Sequence, residues 1–276
     1  MLYSRYLSAT KNTNRGPLPL LVFLHGFLGS SEDWLESVKS FDEFPRLLID
    51  LPGFGASRHL KSQDMPSCLS AIETTLKKYT TTQTKVVLVG YSMGGRILLQ
   101  GLAKQVFSHL SVIGCVVEGA HFGLRDQDER AARYTNDERW AQRFEGEPIE
   151  QVLNDWYRQG VFSSLNDDQR QTLVKLRSDN LGKSIGAMLR VTSLAHQNYL
   201  LPNLRKQSVP IWYLCGEKDD KFKQLAAQSG LPVTIVQGAG HNVHHECPIL
   251  FSEALRAIVE RFSQTDKASN KYSNNH

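Results

Sequence analysis

The chain has 276 residues, enough for one sizeable core with room for a small inserted domain. Apolar residues make up 41% and charged residues 22%, a balance that excludes a disordered or fibrous chain. The 32 basic and 28 acidic residues are interleaved, with no basic block or aromatic–basic stripe. That argues against a nucleic-acid partner, while the formal net charge of +4 suits small anionic ligands.

Met1–Ser8 holds no apolar run of signal-peptide length, and Leu18–Leu24 is too short to span a bilayer. A cytoplasmic protein without membrane attachment is expected. Leu2–Ser8 reads as an antiparallel edge hairpin. Six apolar runs follow as core strands: Pro19–Leu24, Arg46–Leu51, Lys85–Gly90, Ser111–Glu118, Pro210–Gly216 and Val233–Val236. Near-continuous apolar runs of this kind are buried parallel strands. Between and after them, helical signals mark Ser31–Lys39, Pro66–Tyr79, Met93–Gln105 and Pro248–Phe262. The four cysteines, Cys68, Cys115, Cys215 and Cys247, form no CxxC pair and read as free thiols of a reducing compartment.

Residues 121–201 break the alternation. They hold no strand signal but four helix-period segments, Gln127–Phe144, Ile149–Gln159, Asp167–Arg177 and Ser184–Ala195. The expectation is a mostly parallel sheet with helices on both faces, built from residues 1–120 and 202–263, with a helical cap of residues 121–201 inserted after the sixth strand. Such an insertion belongs over the carboxyl ends of the strands, where ligands bind in open α/β sheets. The polar segment 264–276 reads as a disordered tail.

Gly90-Tyr91-Ser92-Met93-Gly94 sits between the strand Lys85–Gly90 and a helix beginning near Met93. A Gly-x-Ser-x-Gly pentapeptide alone is a weak signal. On a strand-to-helix turn it is the nucleophile elbow of the α/β-hydrolase fold, whose triad follows in the order Ser, Asp or Glu, His. Glu217, Asp219 and Asp220 follow one later strand, and His241 follows the next. Asp219 is the preferred acid, with Asp220 and Glu217 as rivals that spacing does not separate. His241 would take the serine proton while the acid fixes its tautomer. The loop His25-Gly26-Phe27 would place the Phe27 N–H opposite that of Met93 as an oxyanion hole, with His25 bracing the loop. His241, His244, His245, Glu246 and Cys247 crowd together, but without HExxH spacing no metal site is expected. No cofactor motif appears.

The fold does not name a reaction. Arg96 lies four residues beyond Ser92, where a neutral-ester hydrolase has little need of a guanidinium, and the insertion adds Arg130, Arg133 and Arg177. Each alone is more often a solvated surface charge. Several around one pocket suggest a multiply anionic substrate, because guanidinium binds carboxylate in two-pronged fashion.

Val89–Arg96, Val117–Leu124, Asp155-Trp156-Tyr157, Phe162–Arg170 and Leu214–Asp219 together resemble the MenH family, the 2-succinyl-6-hydroxy-2,4-cyclohexadiene-1-carboxylate synthases of menaquinone biosynthesis. The likeness runs from about Leu20 to Phe262, insertion included. Ala120 and Phe122 stand where the family pattern has Gly and Pro. The resemblance implies a cofactor-free lyase that eliminates pyruvate from a small tricarboxylate. Ser92, Asp219 and His241 would act as the base. Arg96, Arg133 and Arg177 would bind anions, and Tyr91 and Trp156 would line the pocket. Arg130 has no implied role. The enzyme would act without nucleic acid or membrane, as a monomer or weak homo-oligomer. A carbon–carbon or ester hydrolase with the same triad is the alternative, and a silent ligand-binding protein of the same fold is a second.

Overall fold

A computed structural model describes residues 1–10 and 17–273. Seven strands form one sheet: β1 Ser4–Leu7, β2 Leu20–Leu24, β3 Arg46–Ile49, β4 Lys85–Tyr91, β5 Ser111–Glu118, β6 Ile211–Gly216 and β7 Val233–Val236. They lie in the order β1-β3-β2-β4-β5-β6-β7. Every pairing is parallel except β1 with β3, where Ser4 stands opposite Ile49. The N-terminal segment thus adds one antiparallel edge strand and not a hairpin, so the helical insertion follows the fifth strand instead of the sixth. The short strand pairs with β3, whose apolar neighbours it helps to bury, and leaves no second strand to fold back on.

Strand alternation sorts the core into two layers. Leu20, Val22, Leu24, Val86, Leu88, Cys115 and Val117 point to one face, and Leu21, Phe23, Val87, Val89 and Val116 to the other. On the first face lie α2 (Met65–Lys77) and α3 (Met93–Ala103), and on the second α1 (Leu35–Val38) and the C-terminal helix. Asp64 caps α2 through the Ser67 N–H at 2.8 Å, with Pro66 in the first turn where no N–H is missed.

The inserted segment forms α4 (Gln127–Gly146), α5 (Ile149–Trp156), α6 (Asp167–Arg177) and α7 (Gly182–Val191), followed by a short α8 (Leu201–Leu204). After β6 comes α9 (Asp220–Ser229), then α10 (Val243–Glu246) and α11 (Pro248–Ser273). The sequence reading did not identify α9, although Asp219 at its N-cap and Gly230 beyond its end, at φ +73°, are ordinary boundary signals. The expected disordered tail is also corrected. The final helix runs through Ser273, and Lys85 pairs with Asp266 across to β4. Residues 274–276 of that segment lie outside the described residues. Among the described residues no helix is long and apolar enough to cross a membrane.

Candidate active site

Ser92 ends the turn between β4 and α3 with φ +47°, a left-handed value that costs a non-glycine residue roughly 1–3 kcal/mol. The turn persists because its surroundings fix it. Ser92 N–H donates to the Glu118 carbonyl at 2.7 Å, and the Ser92 carbonyl accepts the Arg96 N–H at 3.0 Å. A Cβ on Gly94 would lie 2.4 Å from the Leu24 carbonyl oxygen, so only glycine fits there. The strain lifts the Ser92 hydroxyl into a cavity of about 320 Å3 between the sheet and the inserted helices.

His241 meets the serine from the loop after β7. Ser92 Oγ and His241 Nε2 are 3.3 Å apart, the loose end of a hydrogen bond, and His241 Nδ1 donates to Asp219 Oδ2 at 2.7 Å. Gly119, at φ +57°, gives the ring room, since a Cβ there would lie 2.8 Å from His241 Cε1. Phe222 packs on the other side of the ring at 4.6 Å. Among the three candidate acids, only Asp219 reaches His241. Asp220 is exposed and paired with Lys223, and Glu217 accepts the Gly238 N–H. Asp219 also accepts the Phe222 N–H at 3.3 Å, so one carboxylate both caps α9 and holds the imidazole.

Met93 is the first residue of α3, and its N–H is one of those a helix leaves without an internal acceptor. Phe27 lies in the turn closed by the Gly29 N–H on the Gly26 carbonyl, and its own N–H has no acceptor among the described residues. His25 fixes this loop. Its Nε2 accepts the Leu51 N–H at 2.9 Å and its Nδ1 donates to the Gly26 carbonyl at 2.7 Å. Burial holds the His25 pKa below its ordinary value, in keeping with the neutral form that this pattern requires.

Tyr91 and Trp156 line the cavity. Tyr91 is buried against His241 and His244, and Trp156 packs on Phe27 at 5.0 Å. The predicted arginines Arg96, Arg133 and Arg177 also line it, in three different electrostatic settings. Arg96 donates to Gln197 Oε1 at 3.2 Å and has no carboxylate partner among the described residues. Burial, then the nearby Arg133 charge, pull its pKa down to about 9 against the opposing pull of Asp137. Arg133 Nε is held by both Asp137 oxygens at 2.8 Å. Arg177 is 2.6 Å from Asp33, both side chains nearly sealed from water. Burial disfavours the Arg177 charge, but Asp33 and Tyr157 outweigh that and raise its pKa.

Arg130, left without a role by the sequence, donates to the carbonyls of Leu124, Ala195 and Gln197. It thereby ties the start of α4 to the segment that carries Gln197. The sequence did not single out the lining residues His121, Tyr157 and Lys221, nor Gln197, which accepts from Arg96. Burial, then Lys221, Arg96 and Arg133, pull the His121 pKa down to about 4. A neutral His121 accepts the Gly123 N–H on Nδ1, which puts its proton on Nε2.

The crowded histidines diverge. His244 turns away from His241 to Glu118, both fully buried, with Nδ1 2.8 Å from a carboxylate oxygen. Glu246 accepts the N–H groups of Gly240 and Asn242, and among the described residues no group of three metal-type ligands forms. Phe122, where the family pattern has proline, fills core space beside Tyr213, and Ala120 accepts the Tyr213 hydroxyl at 2.8 Å. A larger cleft of about 900 Å3 lies between α11 and the amino ends of β2 and β4 and includes none of these site residues.

This geometry has close relatives. The chain is 41% identical over 253 residues to a Klebsiella pneumoniae protein named 2-succinyl-6-hydroxy-2,4-cyclohexadiene-1-carboxylate synthase, covering 92% of this chain and 98% of that one. An Escherichia coli protein of the same name is 43% identical over 257 residues, with the same coverage. The structure of MenH from S. aureus superposes with a TM-score of 0.84 at 25% identity, covering 95% of this chain and 100% of that one. A thermophilic esterase from Thermogutta terrifontis shares the fold, with a TM-score of 0.74 at 19% identity over 95% of this chain and 93% of that one. Residues 21–254 match the profile described as the Alpha/beta hydrolase family. The chain therefore belongs to the alpha/beta hydrolase family and, within it, to the 2-succinyl-6-hydroxy-2,4-cyclohexadiene-1-carboxylate synthases.

Proposed function

We propose that the protein removes pyruvate from 2-succinyl-5-enolpyruvyl-6-hydroxy-3-cyclohexene-1-carboxylate, leaving 2-succinyl-6-hydroxy-2,4-cyclohexadiene-1-carboxylate, as a lyase of menaquinone biosynthesis. The observation that carries this reading is Arg96. Among the described residues it is a guanidinium without a carboxylate partner, one helical turn beyond the serine that meets His241. A neutral ester has no use for that charge, whereas a tricarboxylate does.

The triad acts as a base. His241, oriented by Asp219, draws the Ser92 hydroxyl proton, and the serine oxygen takes the proton from ring carbon 2, beside the succinyl ketone. The C–H electron pair passes into an enolate whose oxygen lies against the Phe27 and Met93 N–H groups. Collapse of the enolate restores the ketone, forms the C2–C3 double bond, and shifts the old C3–C4 double bond to C4–C5. The bond from C5 to the enolpyruvyl oxygen breaks. The departing enolate regains the proton as pyruvate, so no water is consumed and no acyl-enzyme forms.

Arg96, Arg133 and Arg177 orient the carboxylates, and Tyr91 and Trp156 confine the ring. Residues 121–201 act as the cap that keeps water from the enolate. A free tricarboxylate is dissolved in water, which fits a cytoplasmic enzyme needing no membrane, nucleic acid or cofactor. The test is proton NMR of purified protein with the cyclohexene substrate. Stoichiometric pyruvate and diene are expected. Fast turnover of nitrophenyl esters without pyruvate release would replace this reading with the hydrolase one.

A further inference from the structure

Four cations line the cavity, and their charges are not equally available. Arg133 is held by Asp137 and Arg177 by Asp33. Arg96 touches only an amide oxygen. Lys221 makes no ion pair or hydrogen bond among the described residues, and its ammonium lies 5.6 Å from the Phe222 ring centre. Arg96 and Lys221 are thus the two lining cations without a carboxylate partner.

The position of Lys221 is fixed by its neighbours. It sits in the first turn of α9, directly after the loop that carries Asp219. Asp219 anchors this turn through the Phe222 N–H, and Phe222 packs on His241 and edge-on to His121. The ammonium therefore starts from a rigid base beside the triad histidine, at the exposed rim of the cavity. Its flexible stem lets it stay hydrated in the empty site and follow an entering anion. Its field already reaches inward, since it is the largest charge effect lowering the His121 pKa, ahead of Arg96 and Arg133.

A tricarboxylate entering a cavity of about 320 Å3 must exchange water for protein partners at each carboxylate. Guanidiniums already neutralised by Asp33 and Asp137 supply N–H donors but little net charge. We propose that Lys221 is a specificity-determining residue whose ammonium binds one substrate carboxylate at the cavity mouth while Arg96 binds another inside. This rests on the tricarboxylate reading of the substrate.

The test is steady-state pyruvate release from the cyclohexene substrate by the wild type and by Lys221→Gln, Lys221→Glu and Lys221→Arg, with melting temperatures measured alongside. The expected result is a KM raised roughly tenfold by Gln, as for a lost charge-assisted pair at a wet rim, and further by Glu. Arg restores KM, kcat stays within about twofold of wild type, and the salt dependence of KM weakens in the Gln variant. If wild type releases pyruvate and the Gln and Glu variants keep its KM, Lys221 is a solvated surface charge and only this inference falls. A loss confined to kcat would equally overturn a binding role. If wild type releases no pyruvate, the functional reading itself fails and takes this one with it.

Discussion

The Arg177 guanidinium lies 2.6 Å from the Asp33 carboxylate, with about 6% and 7% of the two side chains exposed, and this pair joins the cap helix α6 to the loop after β2. Burial would raise the Asp33 pKa, but Arg177, by charge and hydrogen bond, brings it below its ordinary value. The pair therefore contributes stability above pH 3.8, lost as pH falls through the lower folded-state value. Arg177→Met strands a buried carboxylate and should cost about 3–5 kcal/mol in chemical denaturation. Adding Asp33→Leu should recover much of that loss. An unaltered denaturation midpoint in the single variant would show that the pair carries no such weight.

Asp219 and Asp220 are adjacent, yet only Asp219 reaches the imidazole. Asp219→Asn should lower kcat on the order of 10³- to 10⁴-fold, because an amide no longer selects the required tautomer. Asp220→Asn removes only an exposed i,i+3 pair with Lys223 and should leave kcat within about twofold. Equal losses from the two substitutions would mean that the capping turn, not the carboxylate on His241, controls activity.

Arg96 has no carboxylate partner among the described residues, so its charge is free for a substrate carboxylate. Arg96→Ala should lower kcat/KM roughly 10- to 100-fold at neutral pH, the scale of a charge-assisted hydrogen bond. Unchanged kcat/KM in the variant would show that no substrate carboxylate is held there.

His121 titrates near 4 when folded and near 6.5 when unfolded. Between these values the unfolded chain holds a proton that the folded chain refuses, so stability falls as pH drops from 6.5 to 4. Burial likewise depresses the pKa of His25 and His245, and they share the trend. His121→Gln should flatten the fall in melting temperature over this range while leaving the remainder from the other two. An unchanged slope would show that the cavity does not exclude the imidazolium.

Much of this was legible in the sequence, for identifiable reasons. The six core runs stood out because buried parallel strands read as near-continuous apolar runs. Ser92, the acid loop and His241 stood out because each follows such a run. Asp219 was preferred over Asp220, but spacing did not separate them, because burial and the approach of His241 decide between them. Nor was the neutralisation of Arg177 or Arg133. Asp33 lies far away in sequence, and Asp137, four residues from Arg133, reads as an ordinary surface pair. Lys221 was hidden for a related reason. In sequence it is one more charge in Glu-Lys-Asp-Asp-Lys, and only the fold turns it toward the cavity. The polar tail misled because composition does not reveal a helix extended by an amphipathic segment already docked on the sheet.

The central claim is that Ser92 and His241 remove a ring proton and that the serine oxygen does not attack carbon. Single-turnover pyruvate release from substrate deuterated at ring carbon 2 tests it most directly, because one turnover excludes slow product release. The account predicts a slower release from the deuterated substrate, with Ser92→Ala lowering the rate by about 10²- to 10⁴-fold. Identical rates for the two isotopologues, with a covalent adduct on Ser92 in the quenched protein, would contradict it.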